Sequence, residues 1–176
     1  TYKLLGGSIG FYGSTVDSRQ YATRGYYEKL IAQVFTGHEW FAPGTSAASK
    51  DQEPVNKKGQ SWLQISYMKE AYHRLASRFV LGWMTEALYS SKNFSTNYTA
   101  TMMQAGEFAP TPHSQLMYNE AFRANQYVSA GIKPIVVFND MFHLRTEFYG
   151  FMPIFPIKRN EMNQAYYGKA FSEFQY

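Results

Sequence analysis

The chain has 176 residues, no cysteine and a formal net charge of +4. This length suits a single domain with a buried core, and the lack of cysteine excludes a disulfide scaffold and thiolate zinc sites. The small positive excess is spread along the chain, which does not indicate a nucleic-acid-binding surface. Aromatic residues make up 18% of the chain, a content typical of β-rich proteins and of membrane β-barrels.

The first motif in chain order is Gly6-Gly7-Ser8-Ile9-Gly10, which fits the G-x-S-x-G nucleophile elbow of serine hydrolases. An elbow needs a strand before the serine and a helix after it, but residues 11–15 are poor helix formers. None of the four histidines lies in a recognisable acid–histidine context. We therefore predict a glycine-containing strand and no catalytic residue, and an esterase that uses Ser8 is the weakest hypothesis.

The middle of the chain supports two interpretations. Within residues 61–90, side chains alternate over 63–68 and over 79–89, which predicts a pair of strands. Residues 27–35 and 68–79 also place apolar side chains at helical spacing, so periodicity leaves a soluble α+β domain open. Three weaker stretches have strand-like composition: 95–104, 114–122 and 166–176.

Polar stretches with proline and glycine predict loops at 42–60 and 106–114. The pattern as a whole gives about eight strands of roughly ten residues, the length that a tilted strand needs to cross a bilayer. No apolar run approaches the ~18 residues of a membrane-spanning helix. Aromatic residues near the predicted strand ends are candidates for interfacial girdles: Trp40, Phe41, Trp83, Tyr89, Tyr127 and Tyr149.

The clearest pattern is a β-hairpin over residues 126–149 that turns at Asn139-Asp140. The candidates for its lipid-facing side are Val128, Ile132, Val136, Phe138, Phe142, Leu144 and Phe148. The opposite side carries Lys133, His143, Arg145 and Glu147, which would line a hydrated lumen or, in a soluble sheet, face water. Isolated histidines without cysteine predict no metal site, and no motif predicts a cofactor.

Four stretches carry a resemblance to a known family: "QVFTGHEWFAPGT", "RFVLGWMTEALYSSKNFS", "GEFAPTPHS" and "AGIKPIVVFNDMFHLRTEFYGFMPIFPI". They resemble the C-terminal outer-membrane β-barrel, of the bacterial surface-antigen type, that some patatin-like phospholipases of Gram-negative bacteria carry. The resemblance implies an all-β, antiparallel transmembrane barrel segment over residues 1–176. Because barrels of this family have about sixteen strands, the predicted eight imply either a fragment of a longer protein or a shortened barrel, in the bacterial outer membrane.

In this family the lipid acyl hydrolase is a separate N-terminal patatin-like domain with a Ser-Asp dyad, whose acid lies in an Asp-Gly context. This chain contains no Asp-Gly, so the resemblance implies no chemistry in this segment. Its role would be to anchor, display or translocate the hydrolase of the same chain, and its partners would be that domain and outer-membrane lipids.

The same resemblance implies a lumen arginine in an Arg-Gly-Tyr motif, for which Arg24 and Arg123 are both candidates. Arg24-Gly25-Tyr26 spells the motif, whereas Arg123 has the better position, just before the hairpin. A soluble α+β or β-sandwich binding domain is the alternative of a different class, and the oligomeric state stays open.

Overall fold

The computed structural model describes residues 2–19, 21–41, 56–139 and 142–176. Within these residues the chain forms eleven strands, one α-helix and two short 3₁₀ helices. The strands are β1 (Tyr2–Ser14), β2 (Gly25–Phe41), β3 (Asn56–Ala76), β4 (Phe79–Ser90), β5 (Gly106–Glu107), β6 (Arg123–Ala124), β7 (Gln126–Val137), β8 (His143–Arg145), β9 (Phe148–Pro153), β10 (Ile157–Arg159) and β11 (Ala165–Tyr167). The α-helix α1 spans Tyr98–Gln104, and the 3₁₀ helices span Ser114–Leu116 and Glu120–Phe122.

One antiparallel sheet dominates the fold, with the order β1-β2-β3-β4-β7-β8 and with β9 also paired to β7. Strands β8 and β9 lie along the same edge of β7 and continue each other around residues 146–147. Two small sheets, β5-β6 and β10-β11, complete the strand pairing within the described residues. The prediction of a mostly antiparallel β protein is confirmed. The main sheet is open, since no ladder in the described part of the chain joins β1 to β8 or β9.

Both stretches with helical spacing are strands. Residues 27–35 lie inside β2, and residues 68–76 lie inside β3. Apolar side chains occupy both faces of these strands, and that produces a helix-like spacing by coincidence. The strands are also longer than the predicted ten residues, with 17 in β2 and 21 in β3.

Three other predictions were wrong, at least in part. Residues 95–104 do not form a strand, because the Asn97 side chain caps α1 by accepting a hydrogen bond from the Ala100 amide at 2.7 Å. Residues 114–122 form two 3₁₀ helices. Of the loop predicted at 42–60, residues 56–60 belong to β3 and residues 42–55 lie outside the described part of the chain.

The predicted hairpin exists, but its second strand is interrupted at residues 146–147. Asp140 of its predicted turn lies outside the described residues. The final stretch forms only the short β11, and Gln175 then makes an isolated antiparallel bridge to Phe151. That bridge covers part of the free edge of β9.

The two ends of the sheet carry different connections. At one end, here called the turn end, Ser77 and Arg78 join β3 to β4, residues 138–142 join β7 to β8, and residues 15–24 join β1 to β2. At the opposite end, the loop end, residues 91–125 connect β4 to β7 and include α1. The residues between β2 and β3, 42–55, lie outside the described part of the chain.

The hydrophobic core lies on one side of the sheet. Phe108 and Ala124 of the 91–125 segment pack against Met84, Leu88, Tyr127 and Phe151. Nearer the turn end, Ala22 packs against Tyr72, Val80 and Ile135. Both clusters form because connecting segments fold back over the same face of the sheet, and burial of their apolar side chains stabilises that arrangement.

Candidate functional site

The two faces of the main sheet differ in chemistry. Neighbouring residues of a strand point to opposite faces, and the registers assign each residue to one of them. One face, here called the apolar face, carries large hydrophobic side chains that are largely exposed. Its members include Leu5, Ile9, Phe11, Leu30, Val34, Leu63, Ile65, Tyr89, Val128, Ile132, Leu144 and Phe148. Exposed apolar surface of this extent marks an interaction site in a natural protein.

Polar rows bound the apolar face on β2. His38, opposite Lys3 of β1, lies on this face towards the loop end, and Glu28, opposite Lys69 of β3, lies on it towards the turn end. Residues 29–37 separate the two rows. A tilted strand that crosses a hydrocarbon layer needs about 9–11 residues, and the spacing between the two polar rows on β2 is close to that length.

The apolar band runs obliquely across the sheet. Phe11 is the last large apolar residue of β1 on this face, and its row passes through Leu30, Tyr67 and Ala87 to Val128 of β7. On β7, Val128 is where the apolar series begins, and the series continues towards the turn end as far as Val136. A band that shifts along successive strands is typical of strands tilted by about 35–45° to the plane they cross.

The opposite face, here called the packed face, carries ionic groups. Lys133 Nζ donates a hydrogen bond to Glu70 Oε1 at 2.6 Å. The Tyr72 hydroxyl donates to the same carboxylate oxygen. Lys133 and Glu70 reach each other across β4, where Gly82 adds no side chain: a Cβ there would lie 2.7 Å from the Tyr72 ring and 3.1 Å from Lys133 Cβ.

A second set of groups on the packed face closes this network into a ring. The Tyr149 hydroxyl donates to Glu147 Oε2 at 2.6 Å, and Arg145 Nε lies 3.6 Å from Glu147 Oε1. The Arg145 guanidinium lies 5.3 Å from the centre of the Tyr72 ring. The Lys133 ammonium lies 5.8 Å from the centre of the Tyr149 ring. Two cations, two carboxylates and two tyrosines, here called the ionic ring, thus link β3 to β7, β8 and β9.

The ionic ring has the features of a structural element that stabilises the fold. Each of its four charged groups has an opposite charge within 3.6 Å. In a low-dielectric interior such pairing offsets the cost of burying the charges. Arg145 also donates to the Ala22 carbonyl oxygen at 2.7 Å, so the ring fixes the 15–24 segment over the packed face.

Arg123 anchors the 91–125 segment. Its Nη1 donates to the carbonyl oxygens of Met103, at 3.2 Å, and of Met102 and Ala105, at 3.4 Å each. Its Nη2 forms an ion pair with Glu107. The three carbonyl groups lie at the C-terminal end of α1, where backbone acceptors lack helical partners and a cation is favourable. Arg123 therefore holds the helix end to β5 and β6.

A buried polar cluster closes the loop end. Gln60 Nε2 donates to Glu39 Oε2 at 2.8 Å, and the Thr96 hydroxyl donates to Glu39 Oε1 at 3.1 Å. Lys92 donates to Gln104, and its ammonium lies 4.6 Å from the centre of the Trp62 ring. Burial lowers the pKa of Lys92 to about 8, against the attraction of the Glu39 carboxylate, which raises it.

The structure divides the candidates for a lumen. Lys133, Arg145 and Glu147 come together in the ionic ring, whereas Arg123 pairs with Glu107 of the 91–125 segment. His143 is exposed beside the Tyr21 ring, with 6.2 Å between ring centres. Arg24 is exposed at the turn end, far along the sheet from Arg123. Gly25 after it has a φ of 93°, which a residue with a side chain rarely adopts.

The candidates for a lipid-facing side fall on or next to the apolar face. Val128, Ile132, Leu144 and Phe148 are exposed there, and Val136 is half-buried. Phe138 and Phe142 are exposed in the turn that follows β7. Of the girdle candidates, Trp83 and Tyr89 lie on the apolar face, whereas Tyr127 and Tyr149 lie on the packed face. Trp40 is half-buried, and the side chain of Phe41 lies outside the described part.

Ser8 lies in the middle of β1, opposite Gln33 of β2. The strand continues from Ser8 through Ser14. A nucleophile elbow places its serine on a sharp turn between a strand and a helix, and β1 provides neither the turn nor the helix. The G-x-S-x-G match is therefore part of an ordinary extended strand.

A cleft of about 460 Å³ opens between the 91–125 segment and the edge strand β9. Phe108, Met117, Phe122, Phe148 and Tyr149 form its apolar walls, together with Tyr176. Glu107 and Glu147 also line it, but both carboxylates already carry the ion pairs described above. The cleft suits an apolar group better than a charged one.

Several central residues could not be found from the sequence. Glu70, Tyr72 and Glu86 occur in no motif, and Glu86 accepts a hydrogen bond from Tyr127 at 2.6 Å, 41 residues away. Glu39 lies near the end of β2, and Lys92 lies in the 91–125 segment after β4. The only signal in the sequence is alternation, which says which neighbours share a face with Glu70 and Glu86 but does not identify their partners.

Within the described residues, no group of three histidine, aspartate or glutamate side chains could hold a metal ion. In the same part of the chain, no helix is long and apolar enough to cross a membrane. Comparison of the chain with protein-family models, with curated proteins and with solved structures finds no match in any of the three.

Proposed function

We propose that this chain is a membrane-embedded β-sheet segment of an outer-membrane β-barrel, and that it anchors or displays an attached patatin-like lipid hydrolase or helps to translocate it. One observation carries the proposal: the sheet exposes its apolar face and buries ionic groups on its packed face. A soluble sheet with one exposed face places polar residues there. A membrane barrel reverses this order, with an apolar exterior and a polar interior.

The energetic argument follows from the exposed side chains. Leu5, Phe11 and Ile132 keep 76%, 67% and 52% of their surface accessible. Burial of such a side chain in an apolar environment stabilises it by about 1.5–3 kcal/mol, and the apolar face has many of them. A bilayer supplies that environment, and strands in a closed sheet satisfy every backbone hydrogen bond within it.

Three further features support a bilayer as the environment. The polar rows on β2 are separated by residues 29–37, a length that matches the hydrocarbon layer. The apolar band is oblique, as tilted strands require. The connections at the turn end are shorter than the 91–125 connection at the loop end, an asymmetry typical of outer-membrane barrels. By that asymmetry the loop end would face outward.

The attached hydrolase rests on the sequence resemblance alone. The described residues include no arrangement of serine, acid and oxyanion donors that we can assign to acyl transfer, and Ser8 lies in a continuous strand. The chain itself would then supply membrane attachment, and the chemistry would lie in the patatin-like domain.

A soluble binding domain is the second candidate, favoured by the apolar cleft beside β9. Such a domain would use the cleft for a small apolar ligand, and a partner would have to cover the apolar face. This hypothesis accounts for the cleft but gives no role to the exposed side chains of the apolar face, such as Leu5 and Ile132.

Fractionation of cells that express the full-length protein tests the proposal. A barrel segment should sediment with outer membranes, require detergent for extraction and migrate faster on gels before boiling than after it. Recovery of the protein in the soluble fraction, with identical migration before and after boiling, would contradict it. The binding-domain hypothesis predicts that second result.

A further inference from the structure

Near the turn end, a charged pair, here called the polar island, interrupts the apolar face. Glu28 of β2 and Lys69 of β3 are directly opposite each other, with 3.5 Å between Lys69 Nζ and Glu28 Oε2. The Tyr67 hydroxyl donates to Glu28 Oε1 at 2.7 Å. The Lys69 ammonium lies 5.8 Å from the centre of the Tyr26 ring. Trp83 lies nearby, one row closer to the turn end.

The position of this island along the strands is informative. Towards the loop end, the apolar face of β2 and β3 continues with Leu30, Val34, Leu63 and Ile65. An ionised side chain on the lipid side of a barrel costs about 2–4 kcal/mol at mid-bilayer but only about 0–1 near the interface. A charged pair flanked by tyrosine and tryptophan therefore fits the headgroup layer, where aromatic girdles lie.

The ion pair is loose enough to accept a ligand. Its separation of 3.5 Å exceeds the 2.7–2.9 Å of a charge-assisted hydrogen bond. The two side chains are 36% and 37% exposed. An ammonium group has three donors and a carboxylate has about four acceptor sites, so each group keeps capacity beyond the contacts that the structure gives it.

We infer that Glu28, Lys69 and Tyr67 form a headgroup site for a zwitterionic phospholipid with a primary amine. The lipid phosphate would accept hydrogen bonds from Lys69, and its ammonium would donate to Glu28. This inference rests on the proposed function, because a lipid headgroup can reach these residues only if the apolar face lies in a bilayer. It adds the class of lipid that the face would bind.

Charge complementarity selects this lipid class over the others. A choline headgroup has no N–H donor for Glu28, so it can satisfy only one half of the pair. A purely anionic headgroup places its charge beside Lys69 but offers nothing to the Glu28 carboxylate, which repels it. A phosphoethanolamine headgroup satisfies both halves at once.

Native mass spectrometry of the full-length protein tests the site. Protein reconstituted in equimolar phosphatidylethanolamine, phosphatidylcholine and phosphatidylglycerol is released, and the retained lipids are counted. The site predicts a preference for phosphatidylethanolamine. Loss of one charge-assisted contact should reduce that preference about threefold to tenfold in Lys69→Gln and in Glu28→Gln. Lys169→Gln, at an exposed position outside the main sheet, is the matched control and should keep it.

The outcomes separate the two proposals. Wild-type protein that inserts, migrates faster before boiling and retains the three lipids equally would overturn the headgroup site and leave the barrel proposal intact. Protein that does not insert would overturn both. If Lys69→Gln fails to fold, Lys69→Arg and Tyr67→Phe decide: retention of the preference in Lys69→Arg with its reduction in Tyr67→Phe supports the site, and any other pattern contradicts it.

Discussion

Lys133 and Glu70 form a salt bridge of 2.6 Å between strands that are not neighbours in the sheet. Lys133 lies on β7 and Glu70 on β3, and the bridge crosses β4 between them. The two side chains keep only 7% and 16% of their surface exposed. On the other side of the same strand, Ile132 is exposed. Two successive residues of β7, Ile132 and Lys133, thus place an apolar side chain on the exposed face and a charged one on the packed face.

Removal of one partner of this salt bridge should destabilise the sheet strongly. Glu70→Gln leaves the Lys133 ammonium buried without its carboxylate, and we expect a loss of about 3 kcal/mol in the free energy of unfolding. The double variant Glu70→Gln/Lys133→Met removes the stranded charge and should recover part of that loss. Urea titration of the refolded protein measures the free energy of unfolding of each variant. A double variant that is as unstable as Glu70→Gln, or less stable, would contradict the coupling between the two residues.

On the packed face of β4, neighbouring side chains leave no space for a side chain at position 82, which is glycine. A Cβ there would lie 2.7 Å from the Tyr72 ring and 3.1 Å from Lys133 Cβ. We expect Gly82→Ala to lower the free energy of unfolding by about 1–3 kcal/mol, since both neighbours belong to the ionic ring. Gly7→Ala is the control, because its nearest new contact is at 3.9 Å. Equal effects at the two positions would show that packing at Gly82 is not tight.

Arg123 should determine how firmly the 91–125 segment lies on the sheet. Arg123→Ala removes three hydrogen bonds to carbonyl groups of Met102, Met103 and Ala105, and the ion pair with Glu107. We expect limited proteolysis to cut residues 103–118 at least several-fold faster in this variant, because local opening then costs less. Arg19→Ala, an exposed arginine of the 15–24 segment, should leave the rate unchanged.

The stability of the protein should depend on the ionisation of Lys92. Its pKa in the folded protein is about 8, below the usual 10.5, because of burial. Between these two values the unfolded chain binds more protons than the folded one, so the free energy of unfolding rises with pH across this window. The Lys92→Met variant should lose that rise, whereas Lys169→Met should keep it. Urea midpoints measured through the window test this, and a rise that persists in Lys92→Met assigns it to another group.

Alternation predicted the hairpin and its two faces from the sequence. Val128 and Ile132 are at even positions, and Lys133 and Arg145 are at odd positions. In a strand, side chains at even and odd positions point to opposite faces of the sheet. The partners of Lys133 could not be predicted in this way. Glu70 is 63 residues away and lies two strands across the sheet, and strand order is set by tertiary packing rather than by local pattern.

The 91–125 segment shows the opposite case. Asn97 is a favourable helix N-cap, but the residues after it mix polar and apolar types in a way that also suits a strand. The helix is only 7 residues long, and isolated helices of that length are unstable. Packing of Met102 and Ala105 against Ile157 stabilises it. Because the contacts of Arg123 depend on this helix, they could not be predicted either.

Substitution of neighbouring residues on β3 tests most directly whether the apolar face meets lipid. Ile65 is exposed on that face, and Gln64 beside it is half-buried on the packed face opposite Gln33. In phospholipid vesicles, we expect Ile65→Arg to lower the free energy of unfolding by about 2–4 kcal/mol. We expect Gln64→Arg to change it by less than about 1 kcal/mol. Equal costs at both positions, or a neutral Ile65→Arg as on the surface of a water-soluble protein, would contradict a lipid-facing sheet.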